Sequence, residues 1–214
     1  MANLRAAAST GHLRVYGPPL LHEGALSMEE REQDTSLLLI KIGHHRNEAV
    51  KLLASHPDLL RFLDAATCVG LLDPVSNIVV SALLAAAADP VGVDGPTLMD
   101  MERRSLDGLV AFLTCFFPHL TDWEAVRYLV LAEADPLVAA RIVIEDRRTK
   151  CFRPGSAATN GALRLALKCA MVAAKHPCPS ELAGVWLSLC SSLDTLEKAV
   201  SVLNSPGHIL HTLA

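Results

Sequence analysis

The chain has 214 residues, of which 51% are hydrophobic, 20% are charged and only 4% are aromatic. This composition excludes a disordered chain, and the length suffices to bury a core without disulfides or metals. The formal net charge of −4, with 19 basic and 23 acidic residues spread along the sequence, disfavours nucleic acid as a partner.

The mean hydropathy of +0.32 raises the question of a membrane protein. A spanning helix needs about 20 consecutive apolar residues, and the longest apolar windows, 74–88 and 108–121, are shorter. The sequence therefore predicts no membrane insertion. Its six cysteines are scattered through apolar helical patterns, which predicts reduced thiols and an intracellular protein, either cytoplasmic or nuclear.

Residues 1–26 lack the apolar run of a secretory signal, and a Tyr-Gly-Pro-Pro sequence at 16–19 interrupts any amphipathic helix there. We interpret them as a flexible N-terminal arm that precedes a single all-helical domain, 27–214. Two arginines, Arg5 and Arg14, come before the first acidic residue. Organellar import is therefore an open alternative.

Helix-start signals recur along the domain, because Ser, Thr, Asp and Asn cap free amide groups and Pro is tolerated in the first turn. Ser27 and Thr121 have capping-box spacing, and Asp73 and Asp135 each precede a proline. The first helix is predicted to stop at Gly43. Start signals lie, in chain order, at Ser27, after Gly43, and at Ser55, Asp73, Asp94, Thr121, Asp135, Gly161, Ser180 and Asp194.

These signals predict an all-α fold, a stack of about nine or ten helices. The longest internal loop is predicted at 149–160, which is rich in Pro, Gly and Ser. Residues 76–80 alone have the alternation of a short strand.

The helix-start signals also recur with a period of about 60 residues. Prolines stand at 57, 118 and 177, and the aspartates that open the later helices stand at 73, 135 and 194. This spacing predicts three irregular repeats, either α-solenoid-like or packed as a compact bundle. The units would be 35–96, 97–158 and 159–214. The alternative is coincidence, because residue identity between the units is poor. If the repeat register is real, the buried residues include Val75, Ile78, Leu137 and Ala140.

Cations gather where the predicted helix from Asp135 meets the longest loop. The candidate site residues are Arg147, Arg148, Lys150 and Arg153. Guanidinium groups pair with carboxylate and phosphate oxygens, so this cation cluster is predicted to bind an anion, or an acidic or phosphorylated segment of another protein. The structural alternative is that cations at a helix C-terminus only offset its dipole.

The sequence predicts no catalytic residue, metal ligand or cofactor. His44 and His45 are adjacent and point apart on a helix, whereas metal ligands on a helix stand one turn apart. His176 and Cys178, with Cys169 upstream, lack the paired spacing of a zinc site. Buried cysteines of this kind behave as small hydrophobic residues.

The function that the sequence favours is a non-enzymatic helical module for protein–protein interaction, a scaffold or an adaptor, because stacked helices present an extended surface. The alternative is an enzyme or a small-ligand-binding protein whose site is assembled between helices. A deep pocket that gathers His, Cys, Arg and carboxylate side chains would favour that alternative. Exposed apolar side chains beside cations would favour the module.

Overall fold

In the computed structural model, the described residues are 27–88, 101–147 and 157–191. They form eight α-helices and one 3₁₀ helix and include no strand, which confirms the all-α fold. The helices are α1 (Met28–Leu53), α2 (Pro57–Leu60), the 3₁₀ helix (Leu63–Ala65), α3 (Pro74–Ala88), α4 (Met101–Phe116), α5 (Asp122–Leu131), α6 (Pro136–Asp146), α7 (Ala157–Ala173) and α8 (Pro179–Ser191). The predicted arm, 1–26, and the helix predicted from Asp194 lie outside the described residues.

Helix α1 begins at the predicted capping box. The Ser27 hydroxyl accepts a hydrogen bond from the Glu30 N–H at 3.2 Å, and the Ser27 N–H donates to the Glu30 carboxylate at 2.8 Å. The predicted stop at Gly43 is wrong, because α1 continues through it. Ile42 and Ala49, on either side of the glycine, are fully buried. Their burial outweighs the cost of about 1 kcal/mol for a glycine within a helix.

Asp73 and Asp135 cap α3 and α6 in the same way. Each carboxylate accepts hydrogen bonds from the backbone N–H groups two and three residues later, at 2.9 to 3.1 Å. Residues 76–80 are helical within α3. Helix α7 begins at Ala157, so the predicted loop 149–160 overlaps the first turn of a helix.

Only part of the predicted repeat register falls on described residues. Ile78 and Ala140 are buried, whereas Val75 and Leu137 are half-buried. The matching positions of the third unit lie outside the described residues. The division into three repeats therefore stays a prediction.

Helix α4 lies at the centre of the described structure, where it contacts α1, α5, α6 and, most extensively, α7. The two helices approach each other closely at Gly108. A Cβ at this position would lie 2.8 Å from the Ala174 Cβ and 2.9 Å from the Ala170 carbonyl oxygen. A glycine is required because the two helices leave no room for a side chain. None of the helices in the described ranges combines the length and the apolar content that a membrane crossing needs.

The loop 66–73, between the 3₁₀ helix and α3, runs through the interior, and its first five residues are all buried. Buried backbone groups need hydrogen-bond partners. The Asn77 amide donates to two loop carbonyls, at 2.9 and 3.1 Å, and accepts from a loop N–H at 3.0 Å. The hydroxyls of Ser81 and Ser105 accept from two further loop N–H groups. Polar side chains of α3 and α4 thus hold the loop in the core.

Arg104 connects this loop to α4 and α7. Its side chain is only 1% exposed. The guanidinium donates to the carbonyl oxygens of Asp64, Ala66 (3.2 Å) and Ala174 (3.1 Å). One side chain of α4 therefore fixes two chain segments that are about 40 and 70 residues away in the sequence.

The close approach at Gly108 generates a stability prediction. Gly108→Ala is expected to lower the free energy of unfolding by about 1–3 kcal/mol, because the added methyl group would collide with α7. Gly161→Ala, within α7, is the matched control. A Cβ there meets no atom within 4 Å, so this change is expected to stabilise the fold by about 0.5–1 kcal/mol. Urea denaturation of both variants measures the free energy of unfolding. An unchanged value for Gly108→Ala would contradict the close packing at this position.

Candidate functional site

An open groove lies between α1, α4 and α5, with a volume of about 400 Å³. Its two buried lining residues, Leu106 and Val126, are apolar, and the half-buried Val110 lies beside them. Three charged residues, Arg103, Asp107 and Asp122, also line it. The groove therefore combines an apolar floor with charged edges.

One face of α4 provides most of the groove. The α4 positions that line it extend from Arg103 to Thr114 at spacings of three and four residues. At 1.5 Å per residue, this face is about 16 Å long. Thr35 of α1 and Val126 of α5 flank it. The shape is that of a trough about three helical turns long.

The groove carries a small excess of negative charge. The Arg103 guanidinium lies 3.8 Å from the Asp107 carboxylate, one turn away on α4. Asp122, in the first turn of α5, adds a second carboxylate. The Thr35 and Thr114 hydroxyls donate to carbonyl oxygens of their own helices, at 2.8 and 2.9 Å. Because both hydroxyls are paired within their helices, the groups available to a ligand are the apolar floor and the charged side chains of Arg103, Asp107 and Asp122.

Arg147, the first residue of the predicted cation cluster, is buried inside the fold, with 5% of its surface exposed. Its guanidinium forms an ion pair with Glu124 of α5, and its Nε donates to the Tyr128 hydroxyl at 2.9 Å. The Tyr128 hydroxyl in turn donates to the Asp146 carboxylate at 2.5 Å. The other oxygen of Glu124 accepts from the backbone N–H and the hydroxyl of Thr121, which completes the second predicted capping box. Arg147 thereby joins the end of α6 to the start of α5.

Burial dominates the proton equilibria of this network. It lowers the pKa of Arg147. Burial, together with the neighbouring Asp146 carboxylate, raises the pKa of Tyr128 far above its usual value. The tyrosine therefore stays a neutral hydrogen-bond donor, and the arginine stays a cation at neutral pH because its ordinary pKa lies so high.

The remaining cations of the cluster, Arg148, Lys150 and Arg153, lie outside the described residues. The Glu124 to which Arg147 is paired stands two residues after Asp122 in the first turn of α5. The remaining cations therefore follow in the sequence from a residue that is fixed to the first turn of α5.

The histidines weighed as metal ligands have other partners in the structure. The His45 Nε2 lies 2.8 Å from the Glu133 carbonyl oxygen. The buried His176 accepts a hydrogen bond from the Cys178 N–H at its Nδ1, at 3.1 Å, and its Nε2 faces the Ser81 carbonyl oxygen at 3.4 Å. Within the described ranges, no group of three His, Cys, Asp or Glu residues is placed to hold a metal ion.

Residues 41–144 match the PIR2-like helical domain. The match covers 104 of the 214 residues, from within α1 to near the end of α6. No curated protein and no solved structure matches the chain. The PIR2-like segment contains Arg104, the buried loop 66–73 and every groove residue except Thr35. The match therefore identifies this segment as similar to a helical domain.

The groove was not predicted from the sequence. The face of α4 that lines it has a helical period that the sequence contains, since Leu106 and Val110 are one turn apart. What the sequence lacks is the position of α1 and α5 along the two sides. The cation cluster was visible in the sequence, but the burial of Arg147 depends on Glu124, which lies 23 residues away.

The buried ion pair generates a second prediction. Arg147→Met is expected to lower the free energy of unfolding by about 3–5 kcal/mol, because it leaves the Glu124 carboxylate buried without its cation. Arg141→Met on the same helix is the control, since the pair of Arg141 with Glu145 is largely exposed. It should change stability by less than about 1 kcal/mol. Chemical denaturation measures both, and equal effects would contradict the internal role of Arg147.

His176 generates a pH prediction. Burial lowers its pKa below the ordinary 6.5, against the opposing effect of its backbone hydrogen bonds. Below about pH 6.5 the unfolded chain therefore binds a proton at His176 that the folded chain does not. The contribution of the neutral histidine to stability is fully present above this pH and is lost as the pH falls. His176→Gln should make stability less dependent on pH in this range, because glutamine takes up no proton. Parallel stability profiles of the two proteins from pH 7.5 to 5.5 would contradict the prediction.

Proposed function

We propose that this chain is a non-enzymatic helical module, a scaffold or an adaptor, that binds a helix of another protein in the groove between α1, α4 and α5. The observation that carries the proposal is the trough along α4, with its apolar floor of Leu106, Val110 and Val126. Amphipathic helices bind in such grooves through apolar anchors at positions i, i+3, i+4 and i+7. A trough of about 16 Å matches three turns of such a helix.

The charges of the groove select among partners. Arg103 is paired with Asp107, and Asp122 adds a further carboxylate. A helix with Lys or Arg beside its apolar face would complement this excess of negative charge, while an acidic helix would be repelled. The proposed occupant is therefore an amphipathic helix with an apolar face flanked by basic residues.

The cation cluster enters the proposal as a second contact. With Arg147 committed to Glu124, the residues proposed to bind an acidic or phosphorylated segment of the partner are Arg148, Lys150 and Arg153. Arg147 supports this contact only by anchoring the chain before them. An intracellular location is part of the same proposal, supported by the free thiols of Cys68, Cys115 and Cys169.

The groove can be tested in the full-length protein within its native cells. A photo-crosslinking amino acid at position 111, which lines the groove and is half-buried, should trap a discrete protein adduct. The same group at Val172 of α7, which is 65% exposed and does not line the groove, is the control. Adducts should form at 111 and not at 172, and the crosslinked peptide should be an amphipathic helix.

The trapped partner is then purified and its affinity measured by fluorescence anisotropy. Ala111→Arg is expected to weaken binding at least tenfold, because the long side chain fills the trough, whereas Val172→Arg should leave the affinity unchanged. The melting temperature is the control for folding. Asp122→Asn, a change at an exposed position, should lower the affinity for a basic helix about threefold to tenfold. No position-specific adduct, or equal affinities of all variants, would refute groove binding.

The acidic contact has its own test. The double change Arg148→Glu and Lys150→Glu should lower the affinity for the trapped partner at low salt. The loss of affinity should diminish as added salt screens the charges. A loss of affinity that does not depend on salt would contradict an electrostatic contact.

A further inference from the structure

Two cysteines that are distant in the sequence meet between α4 and α7. The Cys115 and Cys169 sulfur atoms lie 3.6 Å apart, although 54 residues separate them in the chain. Both thiols are free and half-buried. They stand on the pair of helices that packs most extensively in the described structure.

The geometry brings these thiols within reach of a covalent bond. A disulfide requires sulfur atoms about 2.05 Å apart, so the sulfurs must approach by about 1.5 Å. Rotations about the two Cα–Cβ bonds are the cheapest way to cover such a distance, because they leave the helices in place. Partial exposure gives small oxidants access to the pair.

We infer that Cys115 and Cys169 form a reversible disulfide that locks α4 to α7 when the protein meets a peroxide. In the first step one thiol is oxidised by hydrogen peroxide to a sulfenic acid, and one water leaves. In the second step the other sulfur attacks the sulfenic sulfur, the S–S bond forms and a second water leaves. Both protons leave within the two waters, and the peroxide takes up two electrons. A dithiol reductant reverses the bond by thiol–disulfide exchange.

The surroundings of the pair affect the reactivity of Cys115. Burial, followed by the hydrogen bond to Cys169, raises the pKa of Cys115 to about 11. Cys115 therefore keeps its proton at neutral pH and donates it toward Cys169. Because the thiolate is the reactive form, the raised pKa keeps Cys115 slow to react, and the bond is favoured by the short distance between the two sulfur atoms.

The bond would close a loop that contains α5, α6 and the segment between α6 and α7. Closing a loop of this length stabilises the folded state, chiefly by restricting the unfolded chain. Thr114, the neighbour of Cys115 on α4, lines the groove. The inference does not depend on the proposed function, because it concerns a reaction of the isolated chain.

The test uses the full-length protein, reduced and then treated with equimolar hydrogen peroxide. Mass spectrometry after alkylation should show the loss of two hydrogens and a peptide pair joined through Cys115 and Cys169. The melting temperature should rise by about 10 °C and return after treatment with a dithiol. Cys169→Ser should abolish the crosslink and the shift, whereas Cys178→Ala, at another half-buried thiol, should retain both.

Three results would overturn the inference. Both cysteines could remain fully alkylated after peroxide, they could oxidise to sulfinic acid without a crosslink, or either could pair with a different cysteine. Each result is read from the wild-type protein by peptide mapping, so the test does not depend on the folding of any variant.

Discussion

The described structure depends on one buried cation, Arg104. A guanidinium cannot shed its charge at any pH a protein meets, and burying it is costly unless it is hydrogen-bonded. Here it binds the carbonyl oxygens of Asp64 and Ala66 on one side and that of Ala174 on the other. Asp64 belongs to the 3₁₀ helix, Ala66 begins the buried loop 66–73, and Ala174 directly follows α7, so all three carbonyls lie at or next to a helix end, where helices leave acceptors without partners. The hydrogen bonds therefore provide partners for both the guanidinium and the carbonyls, and they fix where two distant segments meet α4.

Helix α4 consequently has different tasks on different faces. Its Arg104 and Ser105 face the buried loop, and its Gly108 contacts α7. The face from Arg103 to Thr114 remains open and forms the proposed binding groove. A helix held so firmly on its buried sides presents a preorganised surface on its open side, which reduces the entropy that binding would cost.

The PIR2-like segment contains most of this arrangement but not all of it. It includes Arg104, Gly108 and most of the groove, whereas α7 and Arg147 lie beyond it. Helix α7 nevertheless supplies the surface against which Gly108 packs, and the Ala174 carbonyl that follows it binds Arg104. The Arg147 ion pair likewise fastens the end of α6 to α5. Residues outside the matched segment thus complete the burial of residues within it.

The sequence by itself determined the helical class and many of the helix starts. The caps at Ser27, Thr121, Asp73 and Asp135 were readable because each bond joins groups no more than three residues apart. The tertiary structure decided the rest. Packing between distant segments keeps α1 helical through Gly43 and buries Arg147. It also places Cys115 beside Cys169 and forms the groove between three helices. These outcomes depend on packing and pairing between residues far apart in the chain, which local spacing does not encode.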